Sequence, residues 1–101
     1  AILRTSENID RYYRDGILLQ SKTYYVGGHI RNERYYDENV FLHNDAGPAE
    51  ILYRRDGSIH ESRYFKHDIL HRDGGPAIIW YDELGAQIDQ AYYENGTEVS
   101  R

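Results

Sequence analysis

Two His-x-Asp pairs, His43/Asp45 and His71/Asp73, are the residues best equipped for chemistry in this 101-residue sequence. Imidazole and carboxylate are ligands for zinc, nickel or manganese, and together they form an acid–base pair. In the plainer alternative each Asp closes an Asx-type turn and each His donates to a neighbouring backbone group. The pairs stand 28 residues apart in matching segments, Leu42-His43-Asn44-Asp45-Ala46-Gly47-Pro48-Ala49 and Leu70-His71-Arg72-Asp73-Gly74-Gly75-Pro76-Ala77. A repeated position points to a repeated structural job. His43, Asp45, Gly47, Pro48, His71, Asp73, Gly75 and Pro76 are therefore read as structural, with no metal and no cofactor expected.

Other catalytic constellations find no support. Cysteine is absent, which removes thiolate nucleophiles, thiolate metal ligands and disulfides. Ser6, Ser21, Ser58, Ser62 and Ser100 stand in no nucleophile-elbow context. Gly27-Gly28 lacks the Lys-Ser/Thr of a phosphate loop. The carboxylates scatter over turns and strand surfaces. An enzyme is not expected.

Charge narrows the partner. Twelve Lys and Arg face seventeen Asp and Glu, a formal net charge of −5, which argues against direct nucleic-acid binding. No apolar run approaches the ~20 residues of a membrane helix, and Ala1-Ile2-Leu3-Arg4 does not resemble a secretory signal. A cytoplasmic location without membrane contact is the expectation. Eleven tyrosines are the strongest compositional signal; tyrosine favours strands and packs its ring while its hydroxyl stays wet.

These residues need elements to position them, and the elements repeat. After each Gly-Pro-Ala comes an apolar run, Ile51-Leu52-Tyr53 or Ile78-Ile79-Trp80-Tyr81, then a turn at Gly57 or Gly85, then an aromatic doublet, Tyr64-Phe65 or Tyr92-Tyr93. Gly28, Ile30 and Tyr35-Tyr36 form a partial earlier copy; Tyr12-Tyr13 and Tyr24-Tyr25 extend the doublets towards the start. Asp15-Gly16, Gly27-Gly28, Asp56-Gly57 and Asn95-Gly96 read as two-residue hairpin turns. Glu38-Asn39 and His67-Asp68 hold equivalent places with weaker turn chemistry, and Leu84-Gly85 completes the series. Pro48 and Pro76 cannot donate to a ladder, so their segments should bulge. Strands are predicted near 9–14, 17–26, 29–37, 49–55, 58–66, 77–83, 86–94 and 97–100; residues 1–10 are ambiguous, with a turn possible at Ser6-Glu7-Asn8. The fold class is all-β, an antiparallel meander of stacked β-hairpins in one elongated sheet. It is one repeat domain over 1–101, with a degenerate N-terminal cap at 1–28 and successive units at 29–57, 58–85 and 86–101, the last partial.

The units Tyr12-Tyr13-Arg14-Asp15-Gly16, Tyr24-Tyr25-Val26-Gly27-Gly28 and Tyr92-Tyr93-Glu94-Asn95-Gly96 resemble MORN-type repeats, in the variant of the YwqK-type antitoxin family. The His-x-Asp-x-Gly-Pro-Ala unit at 43–49 and 71–77 resembles a related repeat of bacterial, phage and large-virus proteins. The resemblance covers roughly 11–97. It implies stacked hairpins and a scaffold or interaction role.

Adjacent strand residues point to opposite faces, so one ring of a doublet can build the core while the other lines a surface. About half of the doublets are expected to present an exposed ring. Tyr12, Tyr24, Tyr35, Tyr64 and Tyr92, with Arg34 and Arg63, form the candidate partner-binding set, since Tyr and Arg dominate interface hot spots. Trp80, flanked by Ile78, Ile79 and Tyr81, is read as core. The leading expectation is a non-catalytic module that binds a protein partner through a Tyr/Arg-rich face or an open edge, with homodimerisation plausible. The alternative is a small acidic inhibitor from a phage or mobile element, acting on a basic nucleic-acid-binding host complex in an anti-CRISPR-like manner, or an antitoxin. A carbohydrate-binding or hydrolytic domain ranks below both.

Overall fold

A computed structural model describes residues 8–100 and the backbone of 2–4. The predicted turn residues Ser6 and Glu7 lie outside the described residues. Eleven strands follow in order: β1 Ile2–Arg4, β2 Ile9–Arg14, β3 Ile17–Tyr24, β4 Ile30–Tyr35, β5 Glu50–Tyr53, β6 Ile59–Arg63, β7 Phe65–Lys66, β8 Ile69–Leu70, β9 Ile78–Tyr81, β10 Gln87–Glu94 and β11 Thr97–Val99. Nine of them pair antiparallel in the order β1-β2-β3-β4-β5-β6-β9-β10-β11, and β7 with β8 makes a short hairpin of its own. No helix occurs among the described residues.

Two turn chemistries serve this meander. Asp15-Gly16, His67-Asp68 and Asn95-Gly96 place both central residues at positive φ, between 50° and 84°. That is the two-residue turn whose twist matches antiparallel strands. Asp56-Gly57 and Gly27-Gly28, expected as two-residue turns, belong instead to five-residue loops, Arg54–Ser58 and Tyr25–His29, as does Leu84-Gly85 in Asp82–Ala86. In each loop the first residue's N–H donates to the last residue's carbonyl, and the glycine N–H donates back to the first carbonyl. Gly28, Gly57 and Gly85 sit near φ 100°, 92° and 91°, so Asp56 needs no left-handed backbone and the turn closes over more residues. Asp37–Phe41 has the same two backbone bonds, but Val40 stands at φ 62° in the glycine's place. Asp37 compensates: its Oδ1 accepts the N–H groups of Asn39 and Phe41, as Asp82 Oδ1 does for Leu84 and Ala86.

Three residues beyond each of these glycines, Arg31, His60 and Ile88 are the extra residues of successive β-bulges. All three are exposed. The bulges recur at the period of the sequence repeat, which ties the 28-residue spacing to a physical unit.

The described residues lie mostly in the one nine-stranded sheet, with extents of 42 × 32 × 18 Å. The buried apolar residues are small or aliphatic: Ala49, Ala77, Ile78, Ile79 and Ala91. Every tyrosine is half-buried, none exposed and none fully buried. The expected exposed ring of half the doublets is therefore absent. Cationic side chains lie over three of the rings: Lys22 over Tyr12, Arg55 over Tyr25 and Arg72 over Tyr64. Trp80, read as core, is likewise half-buried.

Candidate functional site

The two His-x-Asp segments are detours from the sheet. His43 N–H donates to the Tyr35 carbonyl, and Tyr35 N–H donates to the Ala49 carbonyl. In the next unit His71 N–H donates to Tyr64, and Tyr64 N–H donates to Ala77. Each loop thus leaves the ladder and rejoins it opposite one residue, with Gly47-Pro48 or Gly75-Pro76 on the detour, where proline removes no ladder bond. Ala49 and Ala77, at the point of return, are completely buried.

Inside the first loop the Asx turn belongs to Asn44 rather than Asp45: Asn44 Oδ1 accepts from Ala46 N–H, and its Nδ2 donates to the Pro48 carbonyl at 3.1 Å. In the second loop Arg72 takes that place. It donates to the Pro76 carbonyl at 3.2 Å and lies over the Tyr64 ring at 4.0 Å. The aspartates do a different job. Asp45 and Asp73 each meet the Nε2 of their own histidine at 2.9 Å, and both side chains are almost wholly exposed.

Each histidine receives a backbone hydrogen bond where the sequence suggested it would donate one. His67 N–H donates to His43 Nδ1 at 3.3 Å, and Asn95 N–H donates to His71 Nδ1 at 3.0 Å. A backbone N–H can only donate, so Nδ1 carries the lone pair and Nε2 the hydrogen that faces the carboxylate. Each half-buried imidazole clamps the hairpin tip of the following unit. Parallel bonds reinforce the clamps: Asp68 N–H to the Leu42 carbonyl, Leu42 N–H to Asp68 Oδ1 at 2.6 Å, and Gly96 N–H to the Leu70 carbonyl.

Two residues outside the sequence-derived set join the first clamp. Asp37 Oδ2 lies 2.6 Å from His67 Nδ1, and the His43 and His67 rings stack at 4.3 Å with 11° between planes. That hydrogen bond to His67, together with the backbone donors of Phe41 and Asn39, holds the Asp37 carboxyl below its usual range. Asp37, His43 and His67 offer ligand atoms within 4.8 Å of one another. The arrangement does not suit a cation. Imidazole lone pairs lie in the ring plane, and parallel planes do not converge on one point. Both His43 nitrogens and both Asp37 oxygens already hold hydrogen-bond partners.

Two surface grooves flank these loops. One, of about 380 Å³, runs between the His43–Gly47 loop, Tyr64–Lys66 and His71–Asp73. The other, of about 480 Å³, lies between Tyr35–Asn39, the first loop and His67.

The candidate partner-binding residues divide between the two faces. Cross-strand register and two-residue alternation place Tyr12, Tyr24, Tyr35, Tyr64 and Tyr92 on one face. Arg34 and Arg63 lie on the other, in one row with Ser21 and Glu50. There the buried Glu50 accepts from Arg34 Nε at 2.7 Å and Arg63 at 3.2 Å, Glu61 accepts from Arg63 Nε, and Trp80 Nε1 donates to Glu61 at 3.0 Å. On the tyrosine face Glu33 accepts from Tyr35 at 2.9 Å and Tyr53 at 2.6 Å. Burial, reinforced by Glu33, pushes the Tyr35 phenol up to about 12 and Tyr53 still higher. Sequence reasoning passed over Glu33, Glu50 and Glu61 because strand-surface acids look solvated; the alternating Arg and Tyr around them were the available signal.

No protein-family model, curated protein or solved structure matches the chain.

Proposed function

We propose that this chain is a non-catalytic protein-interaction module, built from MORN-like hairpin repeats, that binds a protein partner through its tyrosine face. The observation that supports this most is that five half-buried tyrosines, Tyr12, Tyr24, Tyr35, Tyr64 and Tyr92, share one face of the sheet. Half-covered rings are already ordered, so a partner gains their remaining apolar area at small entropic cost. The kinship to MORN-type repeats rests on the Tyr-Tyr-x-x-Gly units and on hairpins whose turns and bulges recur with the sequence period. A cytoplasmic location is part of the proposal; among the described residues no helix is long and apolar enough to cross a membrane.

A photo-crosslinking residue in place of Tyr64, on the tyrosine face, or of Arg34, on the opposite face, tests the reading in the native host. The expected result is a discrete protein adduct from position 64 and none from position 34. Equal adducts from both positions, or none from either, would remove the assignment.

A second reading has its own support. Asp45 and Asp73 hold nearly fully exposed carboxylates on neighbouring loops of a chain with net charge −5. An acidic inhibitor of a basic host complex would use such loops. Its binding should weaken steeply with salt, and salt-independent affinity would count against it.

A further inference from the structure

We propose that the two His-x-Asp clamps are acid-released latches, each closed only while its imidazole is neutral. The two nitrogens of each ring meet opposite demands. At Nε2 the carboxylate of Asp45 or Asp73, 2.9 Å away, requires a ring hydrogen to accept. At Nδ1 the backbone N–H of His67 or Asn95 requires a lone pair. An imidazolium has hydrogens on both nitrogens. A ring that takes the second proton keeps its carboxylate only by giving up the backbone N–H, and so releases the hairpin tip. Histidine is the side chain whose ordinary charge change falls between pH 5 and 8.

The charged neighbours set the local field. His43 bonds Asp45 on its own loop and stacks on His67, with Asp37 within 4.8 Å; Asp68 bonds the adjacent Leu42, and Lys66 and Glu38 line the flanking grooves. His71 bonds Asp73 on its own loop; Arg72 and Lys66 line the same groove, and Glu94 precedes Asn95, whose N–H His71 accepts. The second latch is the simpler one. Asn95 stands where the first latch has His67, so no second imidazole stacks on the ring. Release of the first latch moves His67, which lines the groove beside Tyr35–Asn39, so that latch would tune this surface whether or not it is the partner site.

Nitrogen-15 NMR of the ring, together with amide hydrogen exchange between pH 7.5 and 5 corrected for intrinsic rates, tests this. The expected result at high pH is hydrogen on Nε2 of His71. As the ring gains its second proton, protection of the Asn95 amide should fall about fivefold, the size of one lost hydrogen bond, while the Ile79 amide in β9 stays protected. In His71→Asn, whose side-chain oxygen accepts without titrating, Asn95 protection should no longer follow pH. A hydrogen on Nδ1 at pH 7.5, unchanged Asn95 protection around a protonated ring, or parallel loss at Ile79 would each overturn the proposal. The wild-type measurements decide it even if the variant does not fold.

Discussion

Single residues carry more of this fold than its thin core suggests. Val40 is the clearest case. A β-branched residue at φ 62° occupies a position held by glycine in the three sister loops, and its side chain is largely exposed. Left-handed backbone costs an ordinary residue about 1–2 kcal/mol, and glycine gives back part of that in unfolded-chain entropy. Val40→Gly should therefore stabilise the protein by roughly 0.5–1 kcal/mol. Urea denaturation gives the value, and a destabilised variant would mean that Val40 makes contacts outweighing its strain. Gly96 predicts the reverse. It stands at φ 84°, and an added Cβ would lie 3.3 Å from Ile69 Cγ2. Gly96→Ala should cost about 1–2 kcal/mol in the same assay, and an unchanged midpoint would refute the account of that turn.

Strands, turns and loops differ in how far sequence announces them. The meander was legible because glycine-bearing dipeptides and aromatic doublets punctuate it at fixed intervals, and most predicted strands lie within a few residues of the observed ones. Turn type was less legible. Asp56-Gly57 carries the chemistry of a two-residue turn, yet the bulge at His60 shifts the register and the loop closes over five residues. The β8 strand escaped notice because two residues, Ile69-Leu70, have no period to detect. The candidate site was legible only in part. His43 and His71 stood out, but their backbone partners lie 24 residues further on at hairpin tips, beyond any local pattern. Packing at the point where a loop returns can be probed directly. Ala77 has no exposed surface, and overfilling a close-packed site costs about 1–3 kcal/mol. Ala77→Leu should lower stability by that amount. A smaller loss in thermal unfolding would show that the neighbouring unit yields to the larger side chain.

The described residues form chiefly one nine-stranded sheet, and its tyrosines are all half-buried. That burial links stability to alkaline pH. Tyr35 and Tyr53 hold phenols raised above the ordinary 10, chiefly by burial and then by Glu33. Above pH 10 the unfolded chain loses these protons while the folded chain keeps them. Their contribution is thus complete below pH 10 and is lost as pH climbs through about 12. Melting temperature should fall across that window, and it should fall less in the Tyr35→Phe, Tyr53→Phe double variant. Identical pH profiles for the two proteins would sink this explanation.

The side loops that depart and return opposite a single residue have an evolutionary consequence. Lengthening or shortening such an excursion leaves the alternation of faces on the neighbouring strands untouched. The excursions at 44–48 and 72–76, between the clamping histidines and the buried alanines, are thus the places where the chain can accept new sequence, and acquire new binding preferences, while the ladder behind them keeps its registry.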